Sequence, residues 1–274
     1  MFGNTRRSML MAGLAVPVIL LAPTAMAQVG TDGTITDNNA VFHLGAYLGD
    51  ATGSGPTSSF VVDGDPSHNN LFQTWWWTRV DNDTRELAVN NATAVSFPSP
   101  SQMRLTYNMG TYSLTMEYAV SGLGNGFGVL TQTMTIQNNT NSTLDVTLLN
   151  FNDIDVKGTS NDDSAVATGP ATVRFTDGVD ADWRATYEAA GDHSFRESPA
   201  SSLLGSLTNT TVDSFDQGVM TPGPGDLGIV SQSQFTLDAG GTQTVSVTLT
   251  VVPAPAAAAV LGLGGLAATR RRRA

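Results

Sequence analysis

Asp153 and Asp155 stand two residues apart at the end of a strand-like run. Asn161-Asp162-Asp163 follows in a polar loop, with Asp177, Asp180 and Asp182 a little beyond. Residues i and i+2 of a strand share a face, so the first two carboxylates point the same way. Calcium takes six to eight oxygens from carboxylates, amides and backbone carbonyls. Asp153, Asp155, Asn161, Asp162 and Asp163 are therefore the expected ligands of a calcium ion. The spacing is not that of an EF-hand loop, because no glycine follows a third acidic ligand at the required place. The competing reading is a set of turn aspartates bonded to their own backbone.

A second group is aromatic. In Leu71-Phe72-Gln73-Thr74-Trp75-Trp76-Trp77-Thr78-Arg79, a strand puts Trp75 and Trp77 on one face and Trp76 on the other. An exposed row of indoles, with Arg79 beside it to fix hydroxyls, is a stacking platform for sugar rings. Tryptophans buried against neighbouring layers are the alternative, since large aromatics are mostly covered.

Nothing in the sequence assembles a catalytic centre. His43, His68 and His193 have no ligand spacing, and Asp192-His193-Ser194 on an extended chain would point to alternate faces. Neither a G-x-S-x-G elbow nor an H-E-x-x-H helix nor a phosphate loop occurs. Glycoside cleavage needs two flanking carboxylates, and among 24 acids Glu117 and Glu188 are candidates without being singled out. No catalytic residue is expected. Cysteine is absent, which removes disulfides, thiolate ligands and a cysteine nucleophile.

The elements that must hold these residues are strands. Tyr112, Leu114, Met116, Tyr118 and Val120 alternate with small or polar residues. So do Leu130 to Ile136, Leu144 to Leu148 and Val245 to Val251. Turns at Asn138 to Asn141 and Asp238 to Gly241 separate them, the pattern of half-buried antiparallel strands. Further strands are expected at Val41–Leu48, Leu71–Val80, Gln102–Asn108, Ala171–Phe175, Trp183–Tyr187 and Gly228–Leu237. Ser198-Pro199 opens one short helix reaching Leu207. The expected fold is all-β: a single antiparallel β-sandwich of more than ten strands over residues 28–252.

Both ends of the chain carry processing signals. Residues 1–27 have a basic start at Arg6 and Arg7, an apolar run broken by Pro17, and a small-x-small cleavage site at Ala25-Met26-Ala27, which together make a signal peptide. Thr5-Arg6-Arg7-Ser8 resembles a twin-arginine motif, so both export routes stay open. Signal peptidase and the export machinery are the implied partners. Residues 253–274 run from Pro253-Ala254-Pro255 through the apolar Ala256 to Ala268 to Arg270-Arg271-Arg272-Arg273. A short motif, a short apolar stretch and a basic stop would hold the domain outside the membrane. Between the two ends lie seven basic and 24 acidic residues, a net charge of −17, with Lys157 the only lysine. That surface repels phosphate backbones, so no nucleic-acid partner is expected.

The tail resembles the PEP-CTERM sorting signal, with Pro-Ala-Pro standing where Pro-Glu-Pro is usual. That resemblance implies processing by an exosortase-type transpeptidase. The Trp75–Trp77 run with Arg79, Phe151-Asn152-Asp153-Ile154-Asp155 and Gly225-Asp226 resembles a set of exported PEP-CTERM proteins, which implies fold and location and no activity. Taken together, these features lead to the expectation of a non-catalytic cell-surface or extracellular-matrix protein, transiently membrane-held by its tail. The alternative is a carbohydrate-binding module or glycan-active enzyme using the Trp75–Trp77 strand, with extracellular polysaccharide as partner. Intact-mass measurement of the exported protein is expected to show Gln28 as the first residue; a mature cytoplasmic form beginning at Met1 would remove the export reading.

Overall fold

The computed structural model describes residues 33–45, 55–191 and 193–252. The expected signal peptide, with Ala25 and Ala27, and the expected tail, with Pro253, Ala254, Pro255 and Arg270 to Arg273, lie outside the described residues. In chain order the strands are β1 (Gly33–Asp37), β2 (Ala40–Leu44), β3 (Ser58–Val61), β4 (Gln73–Val80), β5 (Leu87–Ala88), β6 (Ala94–Ser99), β7 (Gln102–Asn108), β8 (Tyr112–Gly124) and β9 (Phe127–Asn138). They continue with β10 (Leu144–Ile154), β11 (Ser164–Gly169), β12 (Thr172–Thr176), β13 (Arg184–Ala190), β14 (Ser194–Pro199), β15 (Gly218–Val219), β16 (Leu227–Leu237) and β17 (Thr242–Val252). One α-helix is found among the described residues, α1 (Ala200–Thr208), and none of their helices is long and apolar enough to cross a membrane.

Two sheets dominate. The larger has the order β11-β12-β13-β17-β9-β8-β7-β6, and the smaller β15-β14-β16-β10-β4-β5. Every pairing within them is antiparallel except the two-residue contact of β14 with β15. A third sheet, β1-β2-β3, packs against β8 and β9, where Phe42 stacks on Tyr118 with ring centroids 5.0 Å apart. The expected antiparallel, mostly β architecture is present.

The eight-stranded sheet follows the alternation that its sequence announces. Leu114, Met116, Tyr118, Leu130, Gln132, Met134, Ile136, Val247 and Leu249 are buried, while the residues that alternate with them along each strand are half-buried or exposed. The six-stranded sheet does not alternate, because both of its faces are covered. In β10 every residue from Val146 to Ile154 is buried, and in β4 every residue from Gln73 to Thr78. Central strands covered on both sides lose the period-two signature.

A polar network joins the two sheets inside this apolar gap. Gln132 of β9 donates through Nε2 to Asn152 Oδ1 at 2.7 Å, and its Oε1 accepts from Thr74 Oγ1 at 2.7 Å and Asn150 Nδ2 at 3.1 Å. Asn152 Nδ2 donates to Asn150 Oδ1 at 2.5 Å. Tyr187 of β13 places its hydroxyl 2.7 Å from Ser231 Oγ of β16 and 3.1 Å from Asn150 Oδ1. Gln132, Thr74, Asn150 and Asn152 are wholly buried. Removing the glutamine amide strands several buried partners at about 1–3 kcal/mol for each unsatisfied group. Gln132→Ala is therefore expected to lower unfolding stability by about 3 kcal/mol or more, read by chemical denaturation. A loss no larger than that of an exposed control such as Gln137→Ala would show that the network contributes little.

Candidate functional site: a buried carboxylate cluster and a polar groove

The network determines where β10 points its other side chains. With Asn150 and Asn152 facing the large sheet, Leu149, Phe151 and Asp153 must face outward with their register partners Trp77, Trp75 and Gln73. The outer face of the small sheet then has three zones. Asp153 lies at one end, aromatic and aliphatic residues fill the middle, and Thr147 and Asp145 lie at the other end beside Arg79 and Asp81.

The middle zone corrects the expected sugar platform. Trp75, Trp76 and Trp77 are at most 1% exposed. Trp76 points into the gap between the sheets. Trp75 and Trp77 point outward but are covered, and Trp75 Nε1 donates to the carbonyl of Val89 at 2.7 Å. Gly55 lies so close that a Cβ there would come within 2.7 Å of the Trp75 Cβ, at a φ of +74°. Trp77 meets Phe151 edge-on at 6.1 Å, and α1 covers neighbouring β10, β14 and β16 through Leu203 and Leu207. The three indoles are core and offer no face to a ligand.

At the first end the chain gathers carboxylates. Asp153, Asp155 and Asp226 bring oxygens within 4.8 Å of one another, and Asp162, Asp163 and Asp177 form a second such group. Pairing of β10 with β16 sets Asp153 opposite Gly228, two residues beyond Asp226, and a bridge between Asp163 and Gly225 brings the loop in. Asp163 Oδ2 accepts the backbone N–H of Val156 at 3.1 Å. Asp177 Oδ2 accepts from Thr159 Oγ1 at 2.8 Å, and its Oδ1 accepts the N–H of Asp180. One oxygen on each of Asp153, Asp155, Asp162 and Asp163 is shielded from water and has no hydrogen-bond partner.

Burial raises these acids. The Asp153 carboxyl is pushed up to about 8 by desolvation and then by the charges of Asp155 and Asp226. Asp155 is pushed to about 7 by desolvation and Asp226, and Asp163 to about 8 chiefly by desolvation. Asp226, half-buried, is also raised by desolvation. No lysine neutralises the group. Lys157 Nζ is bound to Asp180 Oδ2 at 2.8 Å and lies 5.8 Å from the Trp183 ring.

Among the expected ligands, Asp153 and Asp155 meet, and Asp162 and Asp163 meet in the neighbouring group. Asn161 is exposed and donates to Ser160 Oγ. Asp226, some 70 residues downstream of Asp155, is the member that spacing does not reveal. Its approach depends on the pairing of β10 with β16, a long-range contact.

The opposite end is an open groove of about 400 Å³ lined by Arg79, Asp81, Asp145, Thr147, Gln234 and Thr236. Asp81 Oδ1 accepts the Asp145 N–H at 2.9 Å, and Asp145 Oδ1 accepts from Thr236 Oγ1 at 2.8 Å. Arg79 is held by the buried Glu86 at 2.8 Å and donates to Thr147 Oγ1 at 3.2 Å.

No protein-family model and no curated protein matches the sequence. Solved structures do match in fold. A bacterial glucoamylase complexed with acarbose is 12% identical, with a TM-score of 0.50, over 89% of this chain and 35% of that one. A putative aldose 1-epimerase from Escherichia coli K12 is 10% identical, with a TM-score of 0.48, over 81% of this chain and 99% of that one. A polysaccharide lyase is 10% identical, with a TM-score of 0.43, over 80% of this chain and 33% of that one. The chain thus spans about a third of the lyase and of the glucoamylase. Sharing its fold with the glucoamylase corrects the expectation of a non-catalytic surface or matrix component, because the architecture is one that an enzyme uses. At 12% identity the likeness to the glucoamylase concerns the fold alone.

One further buried acid, Glu197 of β14, has a measurable consequence. It is fully buried; Oε2 accepts the Thr221 N–H at 3.1 Å and Oε1 has no partner. Desolvation raises it from its ordinary 4.5 to about 7. The native state therefore keeps this proton through the window in which the unfolded chain has lost it. Stability from this group is full below about 4.5 and falls as pH rises to about 7. Glu197→Gln is expected to be neutral at pH 4.5 and to stabilise by about 2 kcal/mol at pH 8, measured as a flatter dependence of Tm on pH. An unchanged pH profile would remove Glu197 as a source of it.

Proposed function

We propose that this chain is an exported, carbohydrate-active β-sandwich protein whose glycan contact is the polar groove on the outer face of the six-stranded sheet. The groove carries the reading. It is open, is floored by the six-stranded sheet, and presents carboxylates, an amide, two hydroxyls and a guanidinium on one surface. Sugars offer closely spaced hydroxyls that both donate and accept, and fixed groups of this kind are what orient a polar ligand in a site. Sharing a fold with a glucoamylase supports the substrate class. Asp81 and Asp145 open on the same groove, and a pair of carboxylates flanking a bond is what glycoside chemistry requires. Export is supported by the leader and sorting tail read in the sequence, and the net charge of −17 between those two ends (7 basic and 24 acidic residues) suits a solvated extracellular surface.

The test is a panel of neutral and acidic oligosaccharides, read both by calorimetric binding and by release of new reducing ends. Binding of at least one oligosaccharide is expected. It should weaken tenfold or more in Asp145→Ala/Gln234→Ala, whose side chains are exposed and whose loss leaves the core untouched. No binding or turnover across the panel, or full affinity in the double variant, would overturn the proposal.

A further inference from the structure

We infer that Asp153, Asp155 and Asp226 form a calcium site that fastens the end of β10 to the loop entering β16. The three carboxylates come from two segments distant in sequence, yet place oxygens within 4.8 Å of one another. Three carboxylates at that separation repel one another once ionised, and no ion pair among the described residues reaches them. Lys157, two residues after Asp155, is committed to Asp180. Asp153 and Asp155 are 9% and 8% exposed, and each keeps one solvent-shielded oxygen without a hydrogen-bond partner.

A further observation comes from outside the triad. Asp163 is completely buried, and its Oδ2 is fixed by the N–H of Val156, the residue after Asp155. Its Oδ1 has no hydrogen-bond partner, and its charge is felt together with that of Asp155. A buried carboxylate of the neighbouring Asp162, Asp163 and Asp177 group is thus anchored to the residue next to Asp155 with one oxygen left unsatisfied, an arrangement that a cation beside it would relieve.

The donor set is all oxygen, without histidine or cysteine, which suits a hard cation and disfavours zinc or copper. Calcium accepts carboxylates in one- or two-oxygen mode and irregular geometry, whereas magnesium demands near-ideal octahedral geometry and retains its waters. Asp226 is half-exposed, so one flank is open for ion entry and for water to complete the shell. The site does not depend on the glycan reading. Asp145 and Asp153 share a face of one strand eight residues apart, about 27 Å at the usual rise, so the groove and the cluster are tested separately.

The experiment uses the mature chain stripped with chelator and then titrated with calcium chloride, followed by calorimetry and thermal unfolding. Calcium is expected to bind and, at a hundredfold excess over Kd, to raise Tm by roughly 5–10 °C, with magnesium giving a much smaller rise. Asp226→Asn, at the half-exposed position, is expected to remain folded by circular dichroism and to weaken calcium binding tenfold or more. Asp238→Asn, in a remote turn, should leave binding intact. Absence of both heat and Tm shift with calcium in the native chain would overturn the site, as would undiminished binding in Asp226→Asn. If Asp226→Asn does not fold, the native chain's response to calcium and magnesium still decides.

Discussion

The hydrogen-bond network through Gln132, Thr74, Asn150, Asn152, Tyr187 and Ser231 is the constraint on which the rest of this molecule depends. Two sheets packed through apolar side chains alone can slide, because hydrophobic contact is not directional. Amide and hydroxyl groups buried in the same gap cannot, since each displaced partner is left without water or protein to bond. One network of satisfied groups joins strands of both sheets. A one-residue slip of β10 would turn Asn150 and Asn152 outward and bring Phe151 and Asp153 into the gap. The register is therefore fixed by polar chemistry inside a hydrophobic interface.

Functional geography follows from that register. Once Asn152 is turned inward, its neighbours Phe151 and Asp153 are turned outward. The same strand then delivers an acid to the loop end, aromatics beneath a covered surface, and polar residues to the groove. β4 repeats the division, with Gln73 beside the acids, Trp75 and Trp77 in the covered middle, and Arg79 in the groove. The covered middle stiffens the two working ends. Each indole there removes a large apolar area from water, worth on the order of 4 kcal/mol, and the groove and the acid cluster sit on either side of it.

This division explains how much could be read in advance. β7, β8, β9 and β17 were legible because one of their faces meets solvent, and Gln102–Asn108 is reproduced to the residue. β10 was legible only as far as Leu148. Beyond it Leu149, Asn150 and Phe151 are all buried, so alternation carries no information there. The short strands β1, β3, β6, β11 and β14 lack a sustained period. The helix was found through Pro199, which sits at its cap, one residue before Ala200. Period two correctly separated Trp76 from Trp75 and Trp77. It could not reveal that Gly55 and Val89, from two separate segments, close over Trp75, because that cover comes from elsewhere in the chain. The acid cluster was half legible for the same reason. Asp153 and Asp155 share a local spacing, whereas Asp226 arrives only through the pairing of β10 with β16.

The acidic excess and the buried cluster belong to one argument. Of the seven basic residues between the two ends, Arg79, Arg104 and Lys157 are each paired with a single acid, Glu86, Glu117 and Asp180. None of the ion pairs among the described residues reaches the carboxylate cluster of Asp153, Asp155 and Asp226. Two other means of neutralising it are protons and a metal ion. Protons suffice only while pH stays near or below the raised values of Asp153, Asp155 and Asp163, about 7 to 8, and protonated acids hold the loop by one hydrogen bond at a time. A divalent ion draws all the carboxylates to one point. A small, partly open set of three carboxylates belongs with the weaker oxygen sites that suit the calcium levels met outside cells. On the proposed reading, a domain exported with an unfilled cluster would gain its last increment of stability on reaching that medium, where the proposed glycan groove would be at work.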